Sequence, residues 1–231
     1  MSGEWTKRAR IHAVLADPHR LAVLHHVAVG DRTPKELAGL LDLPMPLLSH
    51  HLKVLAESNL IARIPSEQDR RRTFVTVARS ALTYLDRDWL RERVAAPSGR
   101  VVFACTQNSA RSVLAAALWS DRFHRPTAAG GTTPGSRLHP TTVRTARTHR
   151  LRLLQDTPVP LADVLEESDL LVTVCDAANE QVHQHSNRLH WSIPDPAASG
   201  DRQSFETAFE QLSQRISRLG LALSLDPEEN R

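Results

Sequence analysis

Apolar residues recur at helical spacing through the first part of the chain and then give way to alternation. Trp5 to Leu15 reads as one helix. Asp17-Pro18 supplies a cap and a first-turn proline for a second, in which Leu21, Leu24 and Ala28 share a face and Gly30 marks the end. Thr33-Pro34 opens a third in the same way, with Leu37, Leu40 and Leu41 predicted to point inward. Pro44 and Pro46 bracket the start of a fourth, Leu47 to Glu57, whose Leu48, Leu52 and Leu55 lie on one side. Residues 60–64 and 73–77 then read as two strands, with the polar stretch 65–72 as their hairpin loop. Ser80 to Val94 predicts a closing helix.

The pattern changes at Ala95-Ala96-Pro97-Ser98-Gly99, whose small residues, proline and glycine predict a linker. Beyond it, strands and helices alternate. Strands are expected at 101–104, 127–129, 169–175 and 189–193. Helices are expected at 110–121, 140–149, 160–166, 177–184 and 203–219. Such alternation implies a parallel sheet. The expected architecture is therefore two domains. A mainly α winged helix-turn-helix occupies 1–94, and an α/β domain occupies 100–231, with 95–99 between them.

Composition narrows the function classes. The chain has 231 residues, 41% of them hydrophobic, enough for two buried cores. Neither an apolar span nor a secretory h-region is visible, so a cytoplasmic protein with no membrane partner is expected. Two cysteines cannot make a disulfide framework and read as free thiols. Residues 1–98 carry 15 Lys/Arg against 11 Asp/Glu, and residues 99–231 carry 14 against 15. The basic excess thus sits in the first domain, where it suits a polyanion.

Two short helices joined by a tight turn, followed by a basic hairpin, form the layout of a DNA reader. Ser49, His50 and Lys53 lie on the polar face of the second helix, in reach of phosphates and base edges. Arg70, Arg71 and Arg72 stand at the hairpin tip, suited to backbone or minor-groove contact. The bland alternative is a small helical domain with a solvated basic loop. Residues 15–21 (Leu-Ala-Asp-Pro-His-Arg-Leu), 36–38 (Glu-Leu-Ala), 49–55 (Ser-His-His-Leu-Lys-Val-Leu) and 59–61 (Asn-Leu-Ile) resemble the ArsR/SmtB repressors. That resemblance implies a homodimer on double-stranded, palindromic operator DNA, paired through helices 5–15 and 80–94. The family's sensor sites are missing: 34–41 has no thiol, and 80–94 has Asp86 and Asp88 but no histidine. The pairs His25/His26, His50/His51 and His183/His185 do not replace them, because helical neighbours point in different directions. No metal site is expected.

In the second domain, Cys105 ends a strand and is followed by Thr106, Gln107, Asn108, Ser109 and Ala110, then Arg111 and Ser112 at a helix start. Backbone N–H groups of a loop entering a helix converge on a tetrahedral anion. Arg111 adds a planar two-pronged donor. The positive surroundings favour the thiolate of Cys105, the nucleophilic form. Ser112 can donate to that thiolate, and Asn108 can hold the loop. Asp195, after a strand, is a candidate general acid, or else simply starts an Asp-Pro turn.

These residues, with Ala129-Gly130-Gly131-Thr132 and the run 170–176, resemble the low-molecular-weight protein tyrosine phosphatases and thiol-linked arsenate reductases over about 100–220. The resemblance implies Cys105 as nucleophile, Arg111 as oxyanion clamp and Asp195 as acid, with arsenate, phosphate or arsenite as ligands. Ala197 and Ala198 stand where phosphatases carry aromatics, which favours the reductase branch. Cys175 falls near the reductases' redox cysteine and is the candidate partner, although as an isolated residue it reads as a buried hydrophobe. No further cysteine follows it, so an external thiol, thioredoxin or a small thiol, is expected to complete a cycle that needs no bound cofactor. The expected whole is an arsenic-linked repressor carrying an arsenate reductase domain. Phosphatase action on a protein or small ester, or oxyanion sensing without turnover, are the alternatives.

Overall fold

The computed structural model describes residues 3–85, 90, 99–182 and 184–225. The chain forms two compact units, Met1–Arg93 and Val94–Arg231. Among the described residues, no helix is long and apolar enough to cross a membrane.

The first unit runs α1 (Gly3–Leu15), α2 (Pro18–Val27), α3 (Pro34–Leu41), α4 (Met45–Glu57), β1 (Ile61–Pro65) and β2 (Thr73–Val77). The starts follow the sequence signals. The Asp17 carboxylate accepts from the Arg20 N–H at 2.9 Å and caps α2. Thr33 and Glu36 form a reciprocal capping box at α3. Asp42 ends α3 in the left-handed region at φ 49°, a conformation Asp tolerates better than most residues. Val23, Leu24, Val27, Leu37, Leu48, Leu52, Leu55 and Val75 build the core. β1 and β2 pair antiparallel, Ile61 opposite Val77, and Arg32 adds a bridge to Val75.

Two expectations in this unit need correction. Leu40 is 53% exposed, because α3 buries a narrow stripe centred on Leu37. The closing helix does not begin with an α-turn: Arg79–Tyr84 is 3-10 helix and Leu85 is extended. Ser80 is drawn into that tighter turn by donating its hydroxyl to the Asn59 carbonyl. Leu90 is helical and buried; the rest of 86–98, with Asp86 and Asp88, lies outside the described residues.

The second unit carries β3 (Val101–Cys105), α5 (Arg111–Phe123), β4 (Thr127–Gly131), α6 (Pro140–Thr148), β5 (Leu170–Thr173), α7 (Asp176–Gln181), β6 (Arg188–His190), α8 (Pro196–Ser199) and α9 (Arg202–Ala222). The sheet is parallel in the order β4-β3-β5-β6. Every residue of β3 is buried, as expected of a central strand covered on both faces. Phe103 meets Trp119 and Trp191, at ring-centroid separations of 6.1 and 5.9 Å, while Val102 and Ala104 pack with Leu161 and Leu171 in a separate cluster. The helix expected over 160–166 shrinks to a 3-10 turn at Leu161–Asp163. There Gly130 is needed, since a Cβ on it would stand 2.6 Å from the Leu161 Cα. The short α8 was not anticipated.

Strand order places the site. The chain winds outward from β3 to β4 and then crosses over to β5 on the other side of β3, so the winding reverses between β3 and β5. Crevices beyond the carboxyl ends of strands at such a switch point are where open α/β sheets bind ligands. Cys105 ends β3, and Cys175 follows β5 by two residues.

Candidate active site

The loop 106–110 is shaped from outside. The carbonyls of Cys105, Thr106, Gln107 and Ser109 accept hydrogen bonds from the backbone N–H groups of Thr132, Thr133, Gly135 and His139, at 2.9–3.1 Å. In a trans peptide the following N–H points opposite the carbonyl. The N–H groups of Thr106, Gln107, Asn108 and Ala110 therefore turn to the other side of the loop, as an anion nest requires. Gly131 permits the close approach: a Cβ there would lie 2.8 Å from the Thr106 carbonyl oxygen and 2.9 Å from the Asn108 Cβ.

Asn108 is the keystone of this loop. It is fully buried at φ 51°, in the left-handed region. Its Oδ1 accepts from the Val159 N–H at 2.8 Å and from Gln155 Nε2. Its Nδ2 donates to Ser112 Oγ at 2.9 Å. With one lone pair so used, the Ser112 hydroxyl remains able to donate to Cys105 Sγ, 3.1 Å away. Sequence reasoning missed Gln155 and Val159, which no local spacing links to the loop.

Arg111 starts α5 and is buried. One guanidinium nitrogen donates to the Ile193 carbonyl at 2.9 Å, and the other stands 3.2 Å from the Asp195 carboxylate. Asp195 also caps α8 by accepting from the Ala197 N–H at 3.1 Å. It thus starts the Asp-Pro turn and faces the clamp at the same time.

Cys175 caps α7, with its sulfur 3.4 Å from both the Thr106 hydroxyl and the Ala178 N–H. Both cysteines are free and buried. Burial pushes the Cys175 thiol above its ordinary value; Arg111 opposes this, and the Cys105 charge adds to it. Beside it, His190 links the Asp176 carboxylate, at 3.1 Å, to the Thr173 hydroxyl, at 2.9 Å, in a buried chain. Cys105, the loop, Arg111, Asp195 and Cys175 thus gather at one end of the sheet.

Residues 100–229 match the family model of low molecular weight phosphotyrosine protein phosphatases, more than half of the chain. The chain belongs to this family. As a member it carries an additional helix-turn-helix domain, matched over residues 15–64. Arsenate reductases from Bacillus anthracis and Brevibacillus brevis are each 29% identical to it over 126 residues, covering 51% of this chain and 91% of theirs. Among solved structures, an arsenate reductase from Archaeoglobus fulgidus is 26% identical at a TM-score of 0.44, covering 52% of this chain and 97% of its own. A tyrosine phosphatase from Erwinia amylovora is 21% identical at a TM-score of 0.49, covering 55% and 93%.

In the helix-turn-helix domain, Ser49, His50 and Lys53 are exposed along α4, as are Arg70, Arg71 and Arg72 at the hairpin tip. The tip is ordered by Ser66 Oγ, which accepts from the N–H groups of Gln68 and Asp69, and by Asp69, which accepts from the N–H of Arg71. The inward face of α4 holds His51, which the fold brings beside Asp17 and His19. Their ligand atoms all lie within 4.8 Å of one another, although no metal site was expected from sequence neighbours alone.

Proposed function

We propose that the protein is an arsenic-linked DNA-binding repressor whose second domain reduces arsenate. The observation that carries the enzymatic half is Cys175, set against the oxyanion loop through Thr106. A phosphatase needs one cysteine; a reductase uses a second. In the proposed cycle the Cys105 thiolate attacks arsenic(V), and Asp195 protonates the departing oxygen. Cys175 then gives up its proton and attacks Cys105 Sγ. The S–As bond breaks, its electron pair stays on arsenic, and arsenite leaves as arsenic(III) while the two thiols become a disulfide. Thioredoxin or a small thiol restores the dithiol. Arg111 and the loop N–H groups hold the oxyanion throughout.

The regulatory half is supported by the helix-turn-helix match and the exposed basic residues of α4 and the hairpin. Homodimer formation is supported by α1, in which no residue is buried and Trp5 is 64% exposed. The ArsR/SmtB resemblance supplies operator DNA as the partner.

Arsenate reduction by the full chain, with thioredoxin and small thiols in separate reactions, tests the enzymatic half. Turnover should vanish in Cys105→Ser, and in Cys175→Ser it should survive only with a small thiol. Hydrolysis of aryl phosphate with no arsenate turnover under any donor would establish the phosphatase instead. Phosphate binding without either reaction would establish a sensor. Operator selection from random duplexes tests the regulatory half, and recovery of no sequence would overturn it.

A further inference from the structure

The inner face of α4 poses a problem that the chemistry at Cys105 does not touch. His51 has a side chain only 6% exposed, and neither of its ring nitrogens has a hydrogen-bond partner. Buried polar groups without partners are rare and costly. The ring is not aimed at apolar neighbours alone. Its Nδ1 stands 3.6 Å from Asp17 Oδ1, too far for a hydrogen bond, and the same oxygen lies 4.0 Å from His19 Nδ1. Donors bound to one tetrahedral zinc at about 2.0–2.1 Å are separated by roughly 3.3–3.5 Å. The gap therefore has the size of a shared cation.

We propose that Asp17, His19 and His51 bind one divalent transition-metal cation of the zinc class. Two imidazoles and one carboxylate form a donor set that favours such ions over magnesium or calcium. His19, with a side chain 45% exposed, leaves one flank open for water to complete the shell. Two of the three ligands are favoured in their metal-binding forms. Asp17 is kept below the usual carboxylate range, chiefly by the Arg20 N–H, and desolvation holds His51 below the usual imidazole range. The carboxylate is also divided in a useful way. Oδ1, which also accepts the capping Arg20 N–H at 2.9 Å, faces the two imidazoles, while Oδ2 faces the Arg20 guanidinium at 3.7 Å. Arg20 is turned aside by donating from Nε to the Val14 carbonyl at 2.6 Å, and its charge opposes the cation without blocking it. His50, whose ring centroid is 5.8 Å from that of His51, is the remaining titratable neighbour. A bound ion would join the start of α2 to the helix that carries Ser49, His50 and Lys53.

The test is Zn2+ and Co2+ titration of the full chain, followed by calorimetry and absorption. Thiolates in general bind zinc, so Cys105→Ser/Cys175→Ser is titrated in parallel. One ion per chain should bind in that variant. Co2+ should give visible ligand-field bands without the near-ultraviolet charge transfer of a thiolate. Asp17→Asn preserves the helix cap, and His19→Ala alters a half-exposed residue, so both should fold. Each should weaken binding by more than the roughly 10- to 100-fold lost with an outer-shell partner. Zn2+ should raise the melting temperature of the parent chain and not of these two. No binding in the cysteine-free chain, or affinity unchanged in both Asp17→Asn and His19→Ala, would overturn the site.

Discussion

Arg111 and Asp195 are ion-paired across the mouth of the oxyanion loop, 3.2 Å apart, with the arginine buried and the aspartate 40% exposed. The proposed anion clamp is thus already engaged by the residue proposed as general acid. An incoming oxyanion must share Arg111 with this carboxylate.

Asp195→Asn should therefore separate binding from turnover. The amide still caps α8 but no longer competes for Arg111. Phosphate binding, measured by calorimetry, is expected to tighten by up to about fivefold, the equivalent of the ~1 kcal/mol upper range for a partly exposed pair. Arsenate turnover is expected to fall by roughly 10²- to 10⁴-fold, the usual contribution of general acid catalysis. Weaker phosphate binding would show that the carboxylate orients Arg111 rather than competes for it.

The second thiol has its own pH signature. Burial raises the Cys175 pKa, and the negative Cys105 raises it further. Its thiolate is therefore scarcer at neutral pH than that of an ordinary cysteine, and arsenite release should accelerate as pH rises into the alkaline range. In Cys105→Ser the added charge is gone, so alkylation of Cys175, followed by mass spectrometry, should begin at a lower pH than in the parent. The same raised value means that the folded state holds this proton more tightly than the unfolded one. Its contribution to stability is fully present below the ordinary thiol value and is lost as pH rises through the raised one. An alkylation profile identical in the two proteins would remove the electrostatic link between the cysteines.

Asn108 should be the least replaceable residue of the loop. Asn108→Ala leaves the Val159 N–H without its partner, takes from Ser112 the donor that orients it while its contact with Cys105 remains, and places a Cβ-bearing residue with no compensating bond at φ 51°. The expected loss is about 2–4 kcal/mol, measured by urea denaturation. Asn108→Gly relieves the backbone strain alone and should recover about 1 kcal/mol of it. Equal losses in both variants would mean that the hydrogen bonds carry the whole effect.

The two groups of residues proposed to face DNA should differ in kind. Lys53→Ala or Arg71→Ala is expected to weaken binding on all sequences and to reduce the salt slope by about 1 for each phosphate no longer neutralised. Ser49→Ala should instead change which base is preferred, at a cost of about 1–3 kcal/mol where the hydroxyl reads a base edge. Fluorescence anisotropy on specific and random duplexes at several salt concentrations distinguishes the two.

Local chemistry wrote much of this protein directly into its sequence. Asp17-Pro18 and Thr33-Pro34 with Glu36 announced two helix starts, because capping is settled within four residues. The run from Val101 to Ser112 announced strand, loop and helix, and with them Cys105 and Arg111, because an anion nest is built from consecutive peptides. Other features depended on what packs against each segment. Helical spacing put Leu40 on the apolar face of α3, yet only the tertiary structure decides how wide a stripe is covered, and Leu40 falls outside it. The segment 160–166 had apolar residues for a helix, but packing against Gly130 left room for one 3-10 turn. Gln155 and Val159 reach Asn108, Asp195 reaches Arg111, and His51 reaches Asp17 only because the chain returns from afar. Hydrogen bonds and ion pairs act over a few ångströms of space, and no spacing along the sequence encodes a pairing that loops, strand order and helix packing must first create.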